Sequence, residues 1–355
     1  MKSEELRMGN YNEDIRMAAS EALPWERLEG KNILITGATG LIGGCLVEVL
    51  MERAGNFNVY AAGRNEERAM SRFKAYEADG RFHFFHYDVS QPLQSDVVFH
   101  FVVHAASGAA PAAFASQPVE VVKANILGVA NLMDYGLEHG MERMLYVSTG
   151  EVYGEGGATL DTADGKAFVE TDSGYVNCAT PRACYPSSKR AAETLCISYM
   201  AEYGADVVIA RPCHVYGPNF TESDNRVYAQ FFRNIQRGED IVMKSDGSQF
   251  RSWCYVVDCV RALLYILFKG QTGEAYNVAD ESSNISIRQL AEKIAQVGGR
   301  QVVIKKPDNQ ESSGYNVVTK SIFSTLKIRG LGWTVSGTMD EKLSHLASRL
   351  YITKQ

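Results

Sequence analysis

Tyr185 and Lys189 stand four residues apart in Tyr185-Pro-Ser-Ser-Lys189, a spacing that puts both side chains on one face at the start of a helix. A lysine ammonium held near a phenol favours the phenolate and lowers a pKa that begins near ~10. Such a tyrosine can take a proton from a substrate hydroxyl while hydride leaves the same carbon. Thr149, in Ser148-Thr149-Gly150-Glu151-Val152-Tyr153-Gly154, could share the hydrogen bond to that hydroxyl. Cys184, just before the tyrosine, reads as a packing residue, as lone cysteines usually are. A Tyr-x-x-x-Lys pair alone is common on surface helices. Its meaning here comes from what precedes it.

The preceding signal is Lys31-Asn-Ile-Leu-Ile-Thr-Gly37-Ala-Thr39-Gly40-Leu41-Ile42-Gly43-Gly44, a buried strand at Ile33–Ile35 running into a glycine turn and a helix that starts near Leu41. The first glycine permits positive φ in a tight turn, the second lets backbone approach a ligand, and the third lets helix pack on strand. The N–H groups at such a helix start suit a pyrophosphate, so Gly37, Thr39, Gly40, Leu41 and Ile42 are candidate dinucleotide contacts. The second strand, Asn58–Gly63, ends in Gly63-Arg64-Asn65 with no carboxylate for ribose hydroxyls. Arg64, with Arg68 as a second candidate, suits a 2′-phosphate and leans toward NADP. Arg81–Val89 reads as a third strand whose closing Asp88 and Val89 could face an adenine. Asp96–Ser107 reads as a fourth, leading into a small-residue loop where Ala105 and Ala106 let backbone pass close to a cofactor. His104 reads as a structural loop residue rather than an acid or base. Val119–His139 is a helix with Asn125, Gly128 and Asn131 on one face, and the strand from Met144 ends at Thr149. Alternating strands and helices predict an α/β, Rossmann-type doubly wound parallel sheet, with ligands at the carboxyl ends of its strands.

Around this core the expected organisation is an N-terminal helical extension (1–30), a dinucleotide-binding domain (31–210, with some later segments returning to it) and a smaller, mainly substrate-binding C-terminal lobe (211–355). In the extension, Glu13–Leu23 has helical periodicity until Pro24. The lobe should hold an amphipathic helix at Arg226–Arg237, another at Asp258–Leu267 with Asp258 bracing its own start, and helices around Leu290 and Leu343. A net charge of −6 over 355 residues gives no reason to expect nucleic acid or an anionic membrane as partner. No apolar run is long enough to span a bilayer, and the N-terminus is too polar for a secretory signal. Seven cysteines without a Cys-x-x-Cys pair suit a cytoplasmic protein with no structural metal site.

From Lys31 to Trp333 the sequence resembles the extended short-chain dehydrogenase/reductases that remodel nucleotide sugars. The marks are T-G-A-T-G-L-I-G, Asp88-Val89, H-A-A-S, S-T-G-E-V-Y-G, Y-P-S-S-K, R-P-C-H-V-Y-G-P from Arg211 and R-S-W-C-Y-V-V-D from Arg251. Within that family, Asn177–Thr194 and Asp224–Val227 with Asp246–Ser252 are most similar to UDP-glucuronate decarboxylases. The resemblance implies a catalytic set of Thr149, Tyr185 and Lys189, with Lys189 also holding the cofactor ribose, and it implies a decarboxylase-type role for Glu151. It places Arg251 at the nucleotide-sugar phosphates or the reacting carboxylate, and Arg226 at the nucleotide. Arg182 could pair a sugar carboxylate or cap structure. The implied cofactor is NAD(P)+, with NAD+ the family habit, and a homodimer would form through helices near 119–139 and 186–203.

Two positions depart from the pattern. Gly150 replaces the serine usual in the decarboxylases and the aspartate usual in 4,6-dehydratases, which removes an acid and counts substantially against dehydration and somewhat against decarboxylation. His214 stands where asparagine is usual, and it can still donate to a phosphate. The expected reaction is transient C4 oxidation of a nucleotide sugar followed by decarboxylation. A 4-epimerase is the alternative, with a dehydratase or a non-catalytic dinucleotide sensor behind it.

Overall fold

The computed structural model describes residues 10–109, 111–220, 224–305 and 319–352. Residues 1–9 of the expected extension and 306–318 of the expected lobe lie outside the described residues. The core is a seven-stranded sheet built on β1 (Asn32–Thr36), β2 (Asn58–Gly63), β3 (Phe82–His86), β4 (Phe101–His104) and β5 (Arg143–Val147), completed by strands Val207–Pro212 and Ala275–Val278. From one edge the order is Ala275–Val278, Val207–Pro212, β5, β4, β1, β2, β3, and every neighbouring pair is parallel. The order reverses between β1 and β4, and at such a switch the loops leaving two adjacent strands diverge and open a crevice.

The strands are continuous apolar runs because helices cover both faces. The interior of β1 is buried from Ile33 to Thr36, and β4 and β5 are buried throughout. Helix α2 (Leu41–Glu52) is apolar apart from Glu48 and Glu52 and almost wholly buried, as expected for a helix packed between β1 and other helices.

Several element boundaries differ from the sequence expectation, each for a local reason. Helix α1 runs Tyr11–Ala19 rather than Glu13–Leu23, capped in front by Asn10 and closed at Ser20, whose hydroxyl bonds back to the Arg16 carbonyl. Strand β4 begins only at Phe101 because a side chain, His100 Nδ1, takes the Asn32 N–H that a ladder carbonyl would otherwise accept (3.1 Å). Strand β3 stops at His86 because Asp88 Oδ1 accepts from both the N–H and the hydroxyl of Ser90, turning the chain.

Helices α3 (Glu66–Phe73), α4 (Pro111–Ser116), α5 (Pro118–His139) and α6 (Cys184–Tyr203) follow in order. After residue 211 come α7 (Val227–Gln236), the strand Phe250–Tyr255 and α8 (Val256–Lys269). Phe250–Tyr255 is the middle of a separate small sheet, antiparallel to Asp280–Ser286 and parallel to His214–Tyr216. Asp258 does more than brace its own helix. It accepts from Arg261 (2.8 Å) and from the backbone and hydroxyl of Ser336, and it pairs with Lys342 at 2.6 Å.

Candidate active site

The glycine turn leaves β1 at the switch point. Gly37 has φ +69°, and a Cβ there would lie 2.7 Å from the Ala105 carbonyl oxygen. A Cβ on Gly43 would lie 2.4 Å from the Gly37 oxygen. The loops after β1 and β4 therefore approach with backbone alone between them, a cradle that any side chain would fill. Gly40 caps α2 with no side-chain acceptor for its first turn, so N–H donors from the turn around Leu41 and Ile42 stay available to an anion. Thr39 sits in the same turn, its carbonyl accepting from Arg68 (3.0 Å). Ala105 and Ala106 are anchored to Thr36. These residues fit a dinucleotide.

At the end of β2, Arg64 is mostly exposed and lies 3.9 Å from Asp88. Burial pushes the Asp88 carboxyl up, but the hydrogen bonds from Ser90 outweigh it and, with Arg64 and His86 nearby, hold it below its ordinary value. Asp88 is thus occupied with the turn and Arg64. Val89 is buried, and its carbonyl accepts from Asn131. His104 bonds Thr36 Oγ1 through Nδ1 at 2.8 Å, and a Cβ on Gly128 would press on its other face. Burial first, then Lys189, lowers its pKa to about 3. It stays neutral near pH 7 and acts as a structural wedge.

Lys189 is buried one helical turn beyond Tyr185 on α6. Its Nζ donates to the Val147 carbonyl at 2.8 Å and lies over the rings of Tyr146 (4.7 Å) and Tyr185 (5.9 Å). Because an ammonium has three donors, this tether aims the group without exhausting it. Burial lowers the Lys189 pKa to about 7. Tyr185 does not show the lowered pKa that the spacing suggested. Burial, then the Glu151 charge, push it up, while the Thr149 hydroxyl, Arg182 and Arg226 draw it back. Ser188, between the pair, accepts from Asn125 on α5 at 2.9 Å, which locks the two helices at this turn.

The carboxyl end of β5 supplies the opposite wall. Thr149 caps the short turn Gly150–Tyr153 and accepts from the Glu151 N–H. Glu151 is held by both oxygens on Arg182 Nη2, at 2.8 and 3.0 Å. Arg182 lies 4.6 Å over the ring of Phe114 on α4, and Phe114 in turn stacks on Tyr185 at 4.8 Å. Arg251 is buried, donates to the Phe250 carbonyl, and has its pKa lowered to about 10 by burial against the pull of Glu151. His214 is reachable by solvent, with its ring 5.3 Å from that of Trp253. The protein packed around it, then Arg251 and Arg226, lower its pKa to about 4. Arg226 is gripped by Asp224 through several hydrogen bonds.

Thr149, Glu151, Arg182 and Tyr185 therefore meet in one place, with Arg226, Arg251 and His214 near enough to act on one another electrostatically. Spacing did not reveal Phe114, which sits far from Tyr185 in the chain, or Phe323. A Cβ on Gly150 would lie 2.4 Å from the Phe323 ring, so that aromatic fills the space a side chain at 150 would need.

Residues 33–279 match the NAD dependent epimerase/dehydratase family. The chain is 33% identical over 279 residues to UDP-glucuronic acid decarboxylase 6 of Arabidopsis thaliana, covering 78% of this chain and 77% of that one. It superposes on the UDP-glucose 4-epimerase of Thermotoga maritima with a TM-score of 0.73 at 24% identity, over 91% of this chain and 99% of the other. On the dTDP-glucose 4,6-dehydratase of Bacillus anthracis the TM-score is 0.75 at 19% identity, over 91% and 97%. Those likenesses between structures carry the fold. The sequence match over most of the chain carries the family: this chain belongs to the NAD dependent epimerase/dehydratase family.

Proposed function

We propose that the protein is a nucleotide-sugar decarboxylase that acts on UDP-glucuronate through transient oxidation at C4. The observation that carries this reading is the meeting of Tyr185, Thr149 and Glu151 with Arg182 at the carboxyl edge of the sheet. Arg182 holds the Glu151 carboxylate through the single nitrogen Nη2, which sets a guanidinium, the group suited to a sugar carboxylate, beside Tyr185. The match to UDP-glucuronic acid decarboxylases supports the substrate.

When bound, the dinucleotide supplies reversible hydride acceptance at C4. Tyr185 takes the C4 hydroxyl proton and Thr149 aligns that hydroxyl. Lys189 stabilises the phenolate and holds the cofactor ribose. A ketone at C4 makes the carboxylate on C5 that of a β-keto acid, which loses CO2 readily. Glu151 and Arg251 position or protonate the resulting enolate at C5. His214 and Arg226, with Arg251, are assigned to the nucleotide phosphates and base side, while Gly37, Thr39, Gly40, Leu41, Ile42, Asp88, Val89, Ala105 and Ala106 line the cofactor. Arg64 favours NADP. The reading also includes a cytoplasmic homodimer formed through α5 and α6. In support, all seven cysteines are free thiols, and Leu127, Leu137 and Tyr203 on those helices are exposed.

A 4-epimerase is the second reading. It rests on Phe323 filling the space beside Gly150, since epimerisation needs no acid there. Incubation with UDP-glucuronate separates the two: release of CO2 with a UDP-pentose is expected, and it should vanish in Tyr185→Phe. Equilibration with a C4 epimer without CO2 would establish the alternative.

A further inference from the structure

Helix α1 carries none of the residues assigned above, yet it reaches the dinucleotide turn through two buried side chains. The Tyr11 hydroxyl donates to Glu48 on α2. The other oxygen of Glu48 accepts from Arg72 on α3, through Nε at 3.2 Å and Nη2 at 3.1 Å. Arg72 then donates from Nη1 to the Gly40 carbonyl at 2.6 Å, with the Thr39 carbonyl at 3.5 Å. Glu48 and Arg72 are each about nine-tenths buried, with side-chain exposures of 10% and 11%. Gly44 makes room for this arrangement: a Cβ there would lie 2.0 Å from the Arg72 guanidinium carbon. The second glycine of the Gly43-Gly44 pair therefore serves the arginine and not the helix–strand contact.

In a planar trans peptide the C=O and the following N–H point in opposite directions. The Gly40 carbonyl accepts the Gly44 N–H at 3.1 Å as the first bond of α2, and Arg72 is a second donor holding the same oxygen; the Leu41 N–H therefore points the other way, out of the helix start. We propose that Tyr11, Glu48 and Arg72 are positioning residues that set the peptide planes of the glycine turn, so that dinucleotide affinity depends on a hydroxyl in the N-terminal helix that never meets the dinucleotide. The proposal rests on the dinucleotide assignment above. Removing the Tyr11 hydroxyl leaves one buried Glu48 oxygen without its donor, and a buried carboxylate lacking a partner shifts to find one. That shift loosens the grip of Arg72 on the turn.

The test measures the Kd for NAD+ by calorimetry on dinucleotide-freed protein, alongside thermal unfolding without ligand. Tyr11→Phe keeps the ring, which Arg349 covers at 4.6 Å, and loses only the hydroxyl. Asp14→Asn, on the same helix, disturbs bonds to Tyr255 and His345 instead (2.9 and 3.0 Å) and is the control for general destabilisation. Tyr11→Phe and Glu48→Gln are expected to weaken NAD+ binding about fivefold or more, with Asp14→Asn binding as wild type does. Unchanged binding in Tyr11→Phe, or an equal loss in Asp14→Asn, overturns the proposal while leaving the dinucleotide assignment standing. Wild-type protein that binds neither NAD+ nor NADP+ overturns both.

Discussion

Tyr185 is pulled two ways, and the balance decides how it can work. Burial and Glu151 favour the neutral phenol, while Thr149, Arg182 and Arg226 favour the phenolate. Lys189 carries its own burial penalty, with a pKa lowered to about 7 against an unfolded value near ~10.4. Below about pH 7 the lysine is protonated in both folded and unfolded chains. From there to about pH 10 the unfolded chain still holds a proton that the folded one has released, so stability rises with pH. Lys189→Met has no such titration. The stability of wild type relative to Lys189→Met, from urea unfolding of dinucleotide-free protein, should therefore rise between about pH 7 and pH 10. Parallel curves would show that the ammonium is not desolvated. At the other end of the cofactor cleft, Arg64 is exposed and only loosely paired with Asp88, so its charge is free to meet a phosphate. Arg64→Ala should weaken NADP+ binding roughly tenfold, the worth of one charge-assisted contact, and NAD+ much less. An equal loss for both would remove Arg64 from the cofactor choice.

The element that most constrains the chemistry is the turn Gly150–Tyr153. Thr149 caps it and Glu151 projects from it, while the Phe323 ring closes the space beside Gly150. Gly150→Ala should cost about 1–3 kcal/mol by overpacking, measured by urea unfolding, and Phe323→Leu should recover part of that loss in the double variant. A neutral Gly150→Ala would mean the turn can shift away from the ring.

The glycine turn and the Tyr185–Lys189 pair were legible because their spacings are local: strand, turn and helix follow without interruption, and the pair shares one helical turn. Phe114 and Phe323 were not legible, since each reaches the site from a distant segment and aromatic residues are common in any core. The late start of β4 was hidden for a related reason. Nothing in the apolar run Asp96–Ser107 shows that His100 uses its ring in place of a backbone bond. Likewise the motif uses only Gly43 of the Gly43-Gly44 pair, and nothing local shows that Gly44 makes room for Arg72.

Over the whole molecule, buried charges tie the end segments to the core. Arg261 on α8 joins Glu21 (2.6 Å) and Asp258 (2.8 Å), and Lys342 of the final helix sits between Asp258 (2.6 Å) and Asp280 (3.5 Å). Such pairs fix which surfaces meet more than they add stability. They tie α8 and the strand Asp280–Ser286, which pairs with Phe250–Tyr255 and so carries Arg251, to the end segments. That arrangement makes sense for a reaction that begins and ends at one sugar carbon, and labelling that carbon tests it directly. UDP-glucuronate carrying deuterium at C4 should release CO2 and give a UDP-pentose that keeps the deuterium at C4, because the hydride removed there is the one returned. CO2 release with the label washed out to solvent, or no CO2 release at all, would contradict transient oxidation at C4 as the means of decarboxylation.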